Sequence, residues 1–291
     1  MTTVSTYGAR PTKRPRRTRA DIERIKDSAL DLLRRERPMT IRQLYYRLVS
    51  VGAIAKTEAE YKSTVVRLLS EMRRSSDIPF DWIADNTRWM RKPRTHSGLD
   101  EALRQTAATY RRSVWDNQDA YVEIWLEKDA LAGVLWDVTA PWDVPLMVTR
   151  GFASLSFLHS AAEAIQDQDK PTFLYYFGDH DPSGLAITEK VEQDIRGFAP
   201  DADLTIERIA VTPEQIEEMG LPTRPTKATD SRSRGFFGGS VEVDAIPPDT
   251  LRRLVENSIT RHIDPDAYQR LKVAEQAERE TLRAIAERGL A

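Results

Sequence analysis

Apolar positions in the first hundred residues recur at helical spacing. Ile25, Ala29, Leu32 and Leu33 form one stripe, and Pro38 ends it, because proline removes a backbone donor and crowds the preceding turn. Thr40 is placed to cap a second helix over 41–51, which Gly52 closes. A third helix carries Tyr61, Val65, Leu68, Leu69 and Met72 on one face, with Lys62, Arg67, Arg73 and Arg74 elsewhere. A short aromatic strand is predicted over 78–83, followed by a basic stretch over 88–94 that holds Arg88, Arg91 and Lys92. Three short helices, a strand pair and a basic tip predict a winged helix-turn-helix over 21–98, with Arg67, Arg73, Arg74, Arg88, Arg91 and Lys92 as candidate DNA contacts.

The period then changes. A linker helix over 99–117 leads to apolar runs at 121–126, 144–148, 172–177 and 204–210, separated by helix-compatible stretches at 130–136, 153–165 and 184–198. Alternating strands and helices imply parallel pairing and a three-layer α/β domain over 118–212. In such sheets the working residues lie beyond the carboxyl ends of the strands. Residues 213–291 read as a less regular, mostly helical extension.

Charge divides the chain in the same way. Residues 1–95 hold 22 lysines and arginines against 11 acids, and the remainder holds 21 against 34. Residues 1–20 include Arg10, Lys13, Arg14, Arg16, Arg17 and Arg19 and no acid, so a disordered basic arm lying along phosphates is expected. The pattern suggests a polyanion-binding front and a metal-binding back. With no cysteine in the 291 residues, disulfides, thiol nucleophiles and thiolate metal sites are excluded. The charge-free run 151–162 is too short to span a bilayer. A cytoplasmic, nucleoid-associated protein is expected.

Two strand ends carry the candidate chemistry. The first predicted strand runs into Glu127-Lys128-Asp129, and the third into Gly178-Asp179-His180-Asp181-Pro182-Ser183-Gly184. In a parallel sheet these ends share one edge, so Glu127, Asp179 and Asp181 can converge. Three hard carboxylates at one point favour Mg²⁺. A calcium-hand loop is ruled out because its closing acid falls on Lys190, and no P-loop follows the glycines near 235. On the second helix, Ile41, Leu44, Tyr45 and Leu48 make the core stripe, while Arg42 and Tyr46 are an i, i+4 pair on an adjoining face that is expected to be exposed. An arginine there would hold a phosphate against the phenol and favour its ionisation.

Arg42-Gln43-Leu44-Tyr45-Tyr46 on a winged-helix segment resembles the tyrosine motif of the DNA topoisomerase VI A subunit and the meiotic double-strand-break transesterase. Glu127-Lys128-Asp129, Thr149-Arg150-Gly151 and Asp179-His180-Asp181-Pro182-Ser183-Gly184 resemble the Toprim domain that follows it in that family. The order agrees over about 21–210, in a chain shorter than a typical A subunit and with Gln43 where the family usually has an acid. The resemblance implies a winged helix followed by a Toprim domain, an isomerase-class enzyme that cleaves double-stranded DNA. Tyr46 would form a 5′-phosphotyrosyl link, Arg42 would clamp the scissile phosphate, and Asp179 and Asp181 would bind Mg²⁺. Glu127 would share the metal or handle the leaving oxygen's proton. It also implies a homodimer in which one chain's tyrosine meets the other's metal site, with any ATPase subunit supplied in trans. Two rivals remain: a hydrolytic Toprim nuclease, which resembles that of Wadjet-type plasmid defence, and a DNA-binding protein without catalysis.

Overall fold

The computed structural model describes residues 17–84, 93–225, 236 and 238–288. Helix α1 (Arg19–Glu36) opens at Thr18, whose hydroxyl and the Asp21 carboxylate form a reciprocal capping box. Arg17, assigned to the flexible arm, is instead pinned by Glu60 (2.7 Å) and Thr64 (2.8 Å). Helix α2 (Ile41–Ser50) has the same box from Thr40 and Gln43, which gives Gln43 a structural task where an acid was the family's usual residue. Thr57 caps α3 (Glu58–Glu60), which passes through a π-helical turn (Tyr61–Val65) into α4 (Val66–Arg74). That turn sets the Tyr61 ring edge-on to Tyr45 at 5.4 Å and beneath the Arg42 guanidinium at 4.7 Å.

The strand expected over 78–83 does not form. Phe80–Trp82 is a 3-10 turn following Pro79, and Ile83 makes only an isolated bridge to Met39. Proline at the start withholds a ladder donor. Ile78 and Ile83 are buried as single plugs instead of alternating along a ribbon. The expected second strand and tip, with Arg88, Arg91 and Lys92, lie largely outside the described residues.

Beyond α5 (Leu99–Thr109) the chain is α/β. Strands β1 (Tyr121–Leu126), β2 (Leu146–Val148), β3 (Thr172–Phe177) and β4 (Leu204–Ala210) form one parallel sheet in the order β2-β1-β3-β4. The connecting helices are α6 (Ala132–Thr139), α7 (Leu155–Gln166) and α8 (Pro182–Phe198). Side chains alternate faces along a strand, and here both faces are covered. Val122, Ile124, Leu126, Tyr175 and Phe177 join one continuous core that reaches back to Leu33, Leu44 and Tyr45. Trp125, Leu174 and Tyr176 pack against Leu158 and Ala162 of α7 and Ile187 and Val191 of α8. Helices α9 (Pro213–Glu218), α10 (Pro248–Thr260) and α11 (Pro265–Arg288) complete the chain, with α10 against α6 and α11 along α5. No described helix is long and apolar enough to cross a membrane.

Tyr45 sits where its helical phase predicted, buried, with its hydroxyl only 3.3 Å from the Thr57 carbonyl. Tyr45→Ala should therefore cost about 3–5 kcal/mol as a large cavity. Tyr45→Phe, which loses one long hydrogen bond, should cost about 1 kcal/mol or less. Urea denaturation of the two variants measures both; equal losses would contradict this packing.

Candidate functional site

The site begins with the register of the sheet. Leu126 lies opposite Phe177, so β1 and β3 end side by side, and the Glu127 amide donates to the Phe177 carbonyl at 2.9 Å. The next three residues of β3's loop then fold back over Glu127. The Asp179 amide donates to Glu127 Oε2 at 3.0 Å. Asp181 caps α8 by accepting from the Gly184 amide at 2.8 Å, with Pro182 at the first helical turn. Two glycines make this approach possible. A Cβ on Gly178 would lie 2.6 Å from Glu127 Oε2, and one on Gly184 would run into the Asp179 carbonyl oxygen. From β4, half-buried Arg208 reaches under the loop and donates to the Gly184 carbonyl (3.2 Å), the Thr188 hydroxyl and the Asp179 carbonyl.

Of the three acids expected to converge, Glu127 and Asp181 thus meet the Asp179 loop through backbone amides, whereas the Asp179 carboxylate turns toward Lys128. The Lys128 ammonium lies 3.2 Å from Asp179 Oδ1 and donates to Glu242 Oε2 (3.0 Å) and Asp244 Oδ2 (2.7 Å). The Val243 amide donates to the same Asp179 oxygen at 2.9 Å. Among the described residues no three acidic or histidine side chains are gathered as a metal-binding group. The donor chemistry still suits a hard divalent cation. Burial, and then the Asp179 charge, push Glu127 up to about 7 against the opposing Asp179 amide and Lys128. Glu127, Asp179 and Asp181 are the residues that would hold such an ion.

The second half of the site comes from α2. Arg42 donates from Nε and Nη2 to the two oxygens of Glu242 at 3.1 and 2.9 Å. Arg224 lies 2.7 Å from the same carboxylate. Lys56 donates to the carbonyls of Pro222 (2.6 Å) and Thr223 (2.8 Å). Tyr46 is enclosed by this set, its ring 5.9 Å from Arg42 and 5.6 Å from the Lys56 ammonium. The expectation of an exposed Tyr46 is corrected, for the residue is only 3% exposed. Helical phase did point it away from the stripe of Leu44 and Leu48, but a segment two hundred residues downstream covers that face. The expected easing of phenol ionisation is corrected too. Burial and the Glu242 charge hold the phenol above its ordinary range, against the opposing pull of Arg42, Lys128 and Arg224. Glu242 itself is depressed to about 2: burial opposes its charge, and the Arg42 hydrogen bonds and Lys128 overcome it.

The proposed DNA contacts differ in their surroundings. Arg67 pairs with Glu71 one turn away at 2.7 Å, Arg73 lies over the Phe80 ring at 4.5 Å, and Arg74 is exposed. Arg88, Arg91 and Lys92 are outside the described residues. The sequence reading passed over Lys56, Arg208, Arg224, Glu242 and Asp244. The available signal was Ser240-Val241-Glu242-Val243-Asp244-Ala245, where two acids alternate with apolar residues in an otherwise irregular tail. Against known proteins, the sequence matches no family model and no curated protein.

Two predictions follow from this geometry. Gly184→Ala would ordinarily gain up to about 1 kcal/mol within a helix, but here it should destabilise, because its Cβ meets the Asp179 carbonyl; a rise in melting temperature would contradict the close approach. The second concerns pH. Glu127 and buried Glu123, whose one described partner is the Trp125 indole N–H at 2.7 Å, are both raised to about 7. The folded state then binds more protons than the unfolded chain between about pH 4.5 and 7, so stability falls as pH rises through that window. Glu127→Gln should remove part of this slope, stabilising the protein at pH 8 by on the order of 1–3 kcal/mol and changing little at pH 4.5. Urea midpoints at the two pH values decide it.

Proposed function

We propose that the chain is a winged-helix and Toprim enzyme that cleaves double-stranded DNA by tyrosine transesterification, in the manner of the topoisomerase VI A subunit. One observation carries the reading: Arg42 of the α2 motif and Lys128 at the sheet edge bind one shared carboxylate, Glu242, with the Tyr46 ring 5.9 Å from Arg42 and Asp179 3.2 Å from Lys128. These two groups come from segments whose only sequence link is the order of motifs. Their meeting supports a two-part phosphoryl-transfer site within one chain, which departs from the in-trans pairing of tyrosine and metal site that the resemblance implies.

In this reading the Tyr46 oxygen attacks phosphorus, an oxygen–phosphorus bond forms to the 5′ side, and the 3′ oxygen leaves. Arg42, a planar donor already set for bidentate contact, holds the non-bridging oxygens. Glu127, kept protonated up to about 7, is suited to give the proton that the 3′ oxygen needs. The phenol proton passes to solvent or to a neighbouring carboxylate. A Mg²⁺ ion held by Asp179 and Asp181, joined by Glu127 only where Glu127 does not serve as the acid, would supply charge stabilisation for the phosphoryl group. Arg67, Arg73 and Arg74 would contact the duplex backbone, with a homodimer and an ATPase partner as further expectations of the same reading, in a nucleoid-associated cytoplasmic protein.

The burial of Tyr46 favours a second reading, a hydrolytic Toprim nuclease in which water attacks. A denaturant-quenched reaction with Mg²⁺ and supercoiled plasmid separates them. Transesterification predicts protein-linked DNA that Tyr46→Phe lowers by about 100-fold or more, a loss on the scale of one essential catalytic group. Asp179→Asn and EDTA should each abolish cutting. Cutting by Tyr46→Phe at the parental rate gives the site to hydrolysis. Cutting in EDTA removes the metal from either reading.

A further inference from the structure

Three cations from three distant segments point at one carboxylate. Arg42, Lys128 and Arg224 all lie within 3.1 Å of Glu242. A carboxylate has two oxygens with about four lone-pair positions, and Glu242 uses its own on two Arg42 nitrogens, the Lys128 ammonium and one Arg224 nitrogen. Its carboxylate is therefore surrounded much as a phosphate's non-bridging oxygens are when arginines and lysine bind it.

The exposure is uneven. Glu242 keeps only 6% of its side chain exposed, whereas Arg42, Lys128 and Arg224 keep 25%, 23% and 39%. The anion is at the bottom of the cluster and the cations face outward. The surroundings also hold more positive charge than Glu242 can balance alone. Lys56 lies beside the Tyr46 ring, with only backbone carbonyls among its described hydrogen-bond partners. Lys128 is shared with Asp179 and Asp244, and Arg42 has a second, longer contact with Glu58 at 3.6 Å. The phenol of Tyr46 senses Glu242 and all three cations.

We infer that Arg42, Lys128 and Arg224 form a phosphodiester-binding site in which Glu242 is the resident anion, an internal occupant that a DNA phosphate must displace. The covered state of Tyr46 follows directly. While Glu242 holds the three cations, residues 240–243 stay closed over α2, and Lys56 holds Pro222 and Thr223, next to the Arg224 that bridges to Ser240. A phosphate that takes the arginines releases that segment and meets the phenol beside them. The identity of the anion rests on the DNA-cleavage reading; the competition between Glu242 and an external anion does not.

The test measures binding of a short fluorescent DNA duplex by anisotropy in EDTA, where no cutting occurs, for the parent, Glu242→Gln, Arg224→Gln and the double variant, with thermal melting of each. Glu242→Gln should bind about threefold to tenfold more tightly, since one charge-assisted bond no longer has to be broken, even though its melting temperature falls. Arg224→Gln should bind more weakly. The gain from Glu242→Gln should shrink in the Arg224→Gln background, as coupled groups require. A folded Glu242→Gln protein with parental or weaker affinity overturns the inference. If that variant does not fold, Arg224→Gln, which leaves Arg42 and Lys128 on Glu242, decides alone: unchanged affinity overturns it. Tighter binding by Glu242→Gln with no cleavage by the parent in Mg²⁺ leaves the anion site standing and removes the enzyme reading. Parental cleavage with no effect of Glu242→Gln does the reverse.

Discussion

The Glu242 carboxylate is the point on which the two ends of the molecule agree. It binds Arg42, two hundred residues earlier, and Lys128, 114 residues earlier, so α2 and the edge of the sheet are fixed relative to each other by one buried charge. Such an arrangement is costly to assemble, because each ion gives up water before it gains a partner. It persists here since nearly every donor is met: Arg42 is bidentate, Lys128 is shared by three acids, and the Val243 amide is taken by Asp179. The apolar core beneath supplies the bulk of the stability, but Leu44 and Leu126 are interchangeable hydrophobes in a way that Glu242 is not. The core brings the segments near, and the ion cluster sets how they face.

The sheet edge has its own constraint, the mutual repulsion of acids that the parallel register places side by side. Glu127 answers by keeping a proton to about 7, Asp179 by borrowing Lys128, and Asp181 by capping a helix whose N-terminal dipole favours negative charge. Arg208 adds a half-buried positive charge from β4 and holds the loop by its carbonyls. Gly178 and Gly184 let the backbone come close enough for all of this. A divalent cation at the same acids would enter a site whose charge is already partly balanced, so binding one would mean Lys128 and Glu127 yielding ground.

Much of the fold was legible because it depends on period. The runs at 121–126 and 172–177 are almost fully buried strands and the run at 204–210 is a partly exposed edge strand, and all three form where the pattern put them. Thr40 and Pro38 marked a helix start and stop by local chemistry. The strand at 78–83 was misread since aromatic content alone cannot distinguish a ribbon from a turn led by Pro79. That Glu127 and the Asp179–Asp181 loop lie at one edge could be read because strand ends in a parallel sheet share an edge. The surroundings of Tyr46 could not. Helical phase tells which face a side chain takes, and it says nothing about what a distant segment later lays over that face. The same limit hid Arg224 and Glu242, whose meaning lies wholly in long-range contact.

The covering of Tyr46 also bears on why the seam between α2 and the sheet edge is charged. An apolar seam would offer a phosphate nothing to exchange with, because hydrophobic contact is not displaced by an anion. A seam of ion pairs is different: each pair can exchange one partner for another of like charge without leaving a buried group unsatisfied. The phenol, raised by burial and by Glu242, is a poor nucleophile while the seam is closed. On the inferred exchange of Glu242 for a phosphate, it would improve only when the cations around it are regrouped. On the proposed function, that coupling ties the reactivity of the tyrosine to the arrival of the anion it attacks.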